Sequence, residues 1–106
     1  MMCQPQALSN RESIAISHCL HCQMMFIWHN NIMLNFTPSK FAAFHQIVNK
    51  LKYEDCCFPF PDKEERAIIS TPNPEISFAF TYKEWLELKE VMDEAMYIKE
   101  VYAIMA

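Results

Sequence analysis

Hydrophobic and polar positions follow two periods along this chain, and the switch from strand period to helix period occurs twice. Ile32-Met33-Leu34-Asn35-Phe36 alternates with a period of two, the mark of a strand with one buried face. Thr37-Pro38 breaks that alternation with a hydroxyl suited to an N-cap and a proline suited to the first helical position. Phe41, Phe44, Ile47, Val48 and Leu51 then recur at spacings of three and four, which predicts a helix to about Lys52. The pattern repeats downstream. Ile76 to Phe80 reads as a strand, and Thr81 with Glu84 forms a capping box. Trp85, Leu88, Val91, Met92, Ala95, Ile98 and Tyr102 then mark one face of a long last helix.

Each of these units has a partner strand before it. Gln23 to Trp28 is apolar and joins the first strand through His29-Asn30-Asn31. Ala67 to Thr71 joins the second through Pro72-Asn73-Pro74. Ile14-Ala15-Ile16 suggests one further short strand. Residues 1–12 are polar and without period, which predicts a loosely docked end, and Tyr53 to Glu65 reads as a Pro-bearing linker. A shift of 44 positions lays Ile32, Leu34 and Phe36 on Ile76, Phe78 and Phe80, and Thr37 on Thr81. Strand, strand and helix therefore occur twice, in units 14–52 and 66–105, and the gapless register suggests an internal duplication.

The expected fold is α+β: one domain over residues 1–106, with a four-stranded antiparallel sheet built from the two units and both helices on one face. The other face of that sheet is unusual in its residues. Met24, Phe26 and Trp28 alternate with Met25 and Ile27, so both sides of the strand are apolar. A sheet with one wet face should carry polar residues there. Met25, Ile27 and Met33 are assigned to the side away from the helices, and Val101 and Ile104 to an exposed stripe of the last helix. These five residues form the predicted interface of a homodimer or of a complex with a protein partner. The alternative cover for the sheet is the chain's own segment 7–17.

Composition narrows the function classes. The chain has 106 residues, a net charge of −4 and nine scattered basic residues. Nucleic-acid binding needs clustered Lys and Arg, so it is not expected. No run approaches the roughly 18 apolar residues of a membrane span. No basic, then apolar leader opens the sequence, and five cysteines is an odd number, so a cytosolic location with reduced thiols is expected. Glycine is absent altogether. Phosphate-cradling and oxyanion-hole loops that rely on glycine are thereby excluded, and residues with positive φ are expected to be Asn or Asp.

One stretch carries candidate chemistry. Cys19 and Cys22 have the two-residue spacing with which a single turn grips tetrahedral zinc, and Cys56 and Cys57 are the natural further ligands. A redox reading would need the first thiol at a helix N-terminus, whereas a strand follows this pair. The histidines supply no nucleophile–base arrangement by position. His29 lies in a turn and His45 at the edge of a helix face. The acidic residues Glu84, Glu87, Glu90, Asp93 and Glu94 follow the solvated face of the last helix. The reading is therefore a non-enzymatic interaction module without a cofactor. A zinc-stabilised module is the alternative, and a cysteine-dependent enzyme the weaker one.

Cys19-x-x-Cys22, the apolar strand, the Asn-Asn turn and Leu34-Asn35-Phe36-Thr37 with Phe41 and Phe44 together resemble a small bacterial family of unknown function. The likeness covers the first half and, more loosely, the second. It implies a stand-alone cytosolic protein of about this length, and it implies no activity and no functional residues.

Overall fold

A computed structural model describes residues 5–105. Four strands come first: β1 (Gln6–Asn10), β2 (Ile14–His18), β3 (Met25–His29) and β4 (Ile32–Phe36). They form one antiparallel sheet in chain order. Helix α1 (Pro38–Lys50) follows, then a short helix α2 (Tyr53–Cys56). Strands β5 (Cys57–Pro59), β6 (Glu65–Ser70) and β7 (Ser77–Phe80) form a second antiparallel sheet, and α3 (Tyr82–Met105) closes the chain.

The α+β class, the four-stranded antiparallel sheet and the twofold order of strand, strand and helix are as expected. The membership of the sheet is not. β6 and β7 pair with β5 and not with β3 and β4. Their places in the first sheet go to β1, from the end expected to be loose, and to β2, which contains the expected short strand Ile14-Ala15-Ile16. Gln6–Asn10 gave no periodic signal because Leu8 sits at an irregularity: Ala7 pairs with Ser17, but Ser9 pairs with Ile16. The slip lets Leu8 and Ser9 both be buried. Ser9 Oγ donates to the main-chain oxygen of Val91 at 2.7 Å, so the buried hydroxyl is satisfied by α3. The expected linker likewise contains structure. Tyr53 Oη donates to the carbonyls of Glu65 and Phe80 at 3.2 and 3.1 Å, which ties α2 to the second sheet.

The two hairpins bury corresponding rungs. Met25–Phe36 and Ile27–Leu34 face inward in the first, and Ala67–Phe80 and Ile69–Phe78 in the second. One continuous core joins them through Phe41, Phe44 and Val48 of α1 and Leu88, Val91, Met92 and Ala95 of α3. The aromatic rings of Phe36 and Phe44 stack at 5.5 Å, and Phe44 meets Phe78 at 6.0 Å. Both large helices start as the sequence indicates. The Thr37 hydroxyl accepts from Lys40 N at 3.2 Å. At Thr81 the reciprocal box is complete: Glu84 N donates to Thr81 Oγ1 at 3.3 Å and Thr81 N to Glu84 Oε1 at 2.9 Å. Positive φ falls on Asn30 as the glycine-free composition requires, but also on Gln23 and Lys63, neither of which is Asn or Asp.

Candidate functional site

The hairpin turn decides which side chains share a face. His29 pairs with Ile32 across the two residues Asn30-Asn31, and Asn30 takes φ 57°. Counting back from that turn puts Met25 and Ile27 opposite Phe36 and Leu34, on the helix side. Met25 and Ile27 are accordingly 0% and 1% exposed and belong to the core, which corrects their assignment to an outer interface. The outer face carries Phe26 and Trp28 of β3, Met33 and Asn35 of β4, and Ala15 and Ser17 of β2. Of the predicted interface residues, Met33 alone stands there.

Segment 7–17 does not cover this face; it extends the sheet edgewise as β1 and β2. Trp28 and Met33 are directly opposed and remain 40% and 41% exposed. Trp28 Nε1 donates to Ser17 Oγ at 2.9 Å, one rung along on the neighbouring strand. The indole is thereby laid across the sheet toward the rung formed by Ser17 and Phe26, and Phe26 is buried. Among the paired outer positions of the four strands none carries a charge, although the chain as a whole carries −4.

β4 is also an edge strand. In a hairpin with a two-residue turn the residues at Ile32, Leu34 and Phe36 bond to β3, so the main-chain groups of Met33 and Asn35 point outward. They face a cleft of about 220 Å³ whose far wall is Thr71, Asn73 and Ile76 of the second hairpin's turn. Val101 and Ile104 lie elsewhere, in the last turns of α3. Val101 is half-buried and Ile104 is 83% exposed. The two sets do not make one surface, because α3 packs along β1 and β2 while Met33 stands on the strand at the opposite edge of the sheet.

The cysteine turn connects β2 to β3. Cys19 N donates to Met24 O at 3.0 Å, Gln23 N donates to Cys19 O at 2.8 Å, and Gln23 reverses the chain with φ 64°. Cys19 and Cys22 contact each other at 3.4 Å, with Cys19 buried and Cys22 exposed. Cys56 and Cys57 are at the α2–β5 junction, Cys56 exposed and Cys57 half-buried. Among the described residues no group of three or more His, Cys, Asp or Glu side chains is placed to hold a metal ion, so the four-cysteine set is not assembled. Of the adjacent pair, Cys56 ends α2 and Cys57 opens the second sheet, whereas Cys19 and Cys22 turn at the end of the first.

His18, one residue before this turn, is 3% exposed, and neither ring nitrogen has a hydrogen-bond partner. Burial pushes its pKa below the ordinary imidazole value; the Gln23 side chain opposes that shift and the positive charge of Lys99 adds to it. The ring borders a cleft of about 340 Å³ together with Leu20, Gln23, Lys99, Tyr102 and Ala103.

His29 and His45 have structural partners. His29 Nδ1 lies 3.2 Å from the Ser13 carbonyl and so carries the proton, and the ring tilts against Phe80 at 4.7 Å. His45 Nε2 meets Asp93 Oδ1 at 2.7 Å and ties α1 to α3. An open polar cleft of about 500 Å³ lies near His29, lined by Glu12, Glu64, Glu84, Glu87, Arg66 and Lys83 among others. Its charges largely answer one another. Lys83 Nζ bonds Glu12 Oε2 at 2.9 Å and holds that carboxyl below its usual range, and Ser13 Oγ donates to Glu87 Oε1 at 3.1 Å. No helix among the described residues is long and apolar enough to cross a membrane.

Fold and surface together define a small α+β domain of two strand–strand–helix units with an uncharged outer sheet face. The chain belongs to the family of unknown function DUF6686, which matches residues 1–104 and so embraces both units. No curated protein and no solved structure matches it.

Proposed function

We propose that this protein is a non-enzymatic interaction module that self-associates through the outer face of its first sheet. The observation that carries the reading is the Trp28–Met33 pair, exposed on an uncharged face where β3 meets the edge strand β4, and backed by Phe26. Tryptophan is the side chain most often found at the energetic centre of protein interfaces, and here a hydrogen bond fixes its orientation before any partner arrives. A second copy is the occupant that suits the face best. Two molecules each carrying −4 repel, and a twofold contact through uncharged positions brings no like charges together. A partner recognised by charge would need complementary residues that this face lacks.

The size of the face sets the expected strength. Four strands of about five residues span roughly 19 Å by 17 Å. Even with flanking side chains this is a small interface, below the roughly 800 Å² per partner of a standard one. The dimer should therefore be weak, with a dissociation constant in the micromolar range. The odd cysteine count suits a reducing compartment, and we take the cytosol as its place of action.

Light scattering across a dilution series, with Trp28→Ala alongside, tests this reading. A concentration-dependent dimer that the substitution removes supports it. A wild-type protein that stays monomeric at millimolar concentration sinks it.

A further inference from the structure

We infer that Cys19 and Cys22 form a reversible dithiol–disulfide pair. Three observations on the turn carry this. The bond from Gln23 N to Cys19 O closes one isolated helical turn, and residues three apart within such a turn have Cα atoms about 5 Å apart, within the range that a disulfide spans. That is near enough for a disulfide to form with a small rotation of the side chains. The two residues already touch at 3.4 Å. Their exposure is unequal: Cys22 is at the surface and Cys19 is shielded. Outer and inner thiols of this kind divide the work of exchange, because the reagent reaches one sulfur and the other follows.

The step balances with a small-molecule disulfide such as oxidised glutathione as oxidant. The Cys22 thiolate attacks one sulfur of that reagent, forming a mixed disulfide and expelling one thiolate. The Cys19 thiolate then attacks Cys22 Sγ, forming the Cys19–Cys22 bond and expelling the second. The protein loses two protons and two electrons, and the reagent becomes two thiols. A strand, β3, and not a helix follows the turn, so the pair lacks the helix start that activates the first thiol of exchange catalysts, and it is read as a pair oxidised once per molecule. Closure would also stiffen the turn on which Leu20 is carried into the cleft beside Tyr102. The inference does not depend on self-association.

The sequence makes the test direct in the unaltered protein. Trypsin separates the thiols, because the peptide from Glu12 to Lys40 contains only Cys19 and Cys22, while Cys56 and Cys57 fall between Tyr53 and Lys63. The folded protein is equilibrated in glutathione buffers of rising oxidised fraction, quenched with alkylating reagent, digested and weighed. We expect an unalkylated, internally bridged Glu12–Lys40 peptide to become its main form and to revert with dithiothreitol. In Cys19→Ser, glutathione should instead remain attached to Cys22. If the peptide stays doubly alkylated, or carries glutathione on Cys22 without bridging in the unaltered protein, the pair does not close and the inference fails.

Discussion

Trp28 Nε1 donates to Ser17 Oγ at 2.9 Å across the first sheet, so the largest exposed ring on the outer face is held in one pose by the neighbouring strand. This turns a tryptophan that would otherwise sample several rotamers into a fixed platform beside Met33. It also gives a graded test. Trp28→Ala should weaken self-association by about thirtyfold or more, the effect of losing an anchoring aromatic residue worth about 2 kcal/mol. Ser17→Ala keeps the ring but frees it, and should weaken the dimer only a few-fold. Sedimentation equilibrium of the three proteins checks the order, and melting temperature checks that the monomer is intact.

His18 predicts an acid weakness. Its ring is buried without a partner, so the folded state favours the neutral form, and the folded pKa lies below the ordinary value of 6.5. The unfolded chain therefore binds a proton that the folded chain resists. Stability from this residue is complete above pH 6.5 and declines as pH falls from there toward the depressed folded value. Urea unfolding between pH 8 and 5 should show the decline, and His18→Leu should flatten it in the upper part of that range, where carboxylates do not yet titrate.

The two threonine caps should differ in cost. Thr81→Ala removes the part-buried hydroxyl that accepts from Glu84 N, leaves the main-chain N–H of residue 81 bonded to Glu84, and should destabilise by about 1–2 kcal/mol. Thr37→Ala loses an exposed capping bond from Lys40 N and an exposed contact with Ser39 Oγ, and should cost about 0.5–1 kcal/mol. Denaturant titration separates these values.

Phe44 is wholly buried between Phe36 of the first sheet and Phe78 of the second. Phe44→Ala should cost about 3–5 kcal/mol, the range for an aromatic ring removed from a packed core. For a domain of this size that is a large share of total stability, so a collapsed melting transition is the expected outcome by calorimetry.

Metal content tests the zinc reading. Two sulfurs from one turn lack the further ligands of a structural site among the described residues. Purified protein should hold far less than one zinc per chain, and a chelator should leave its melting temperature unchanged. Stoichiometric zinc that a chelator removes, with a lowered melting temperature, would favour the zinc-stabilised reading.

The sequence alone determined the local elements. Period-two alternation, hydroxyl caps and three–four spacing place β3, β4, α1, β6, β7 and α3, because those signals arise from side chains close in sequence. It also fixes which residues of the first hairpin share a face. The two-residue Asn30-Asn31 turn already pairs Ile27 with Leu34, so the inward position of Met25 and Ile27 follows from turn length together with the burial of Phe36. The long-range pairings were decided only by tertiary structure. β1 is recognisable only once Leu8 slips against β2 and Ser9 finds the Val91 carbonyl, and β5 only once Tyr53 is anchored to Glu65 and Phe80. Which strands share a sheet depends on how two apolar hairpins and two helices best fill one core, and that competition between distant surfaces leaves no periodic trace along the chain.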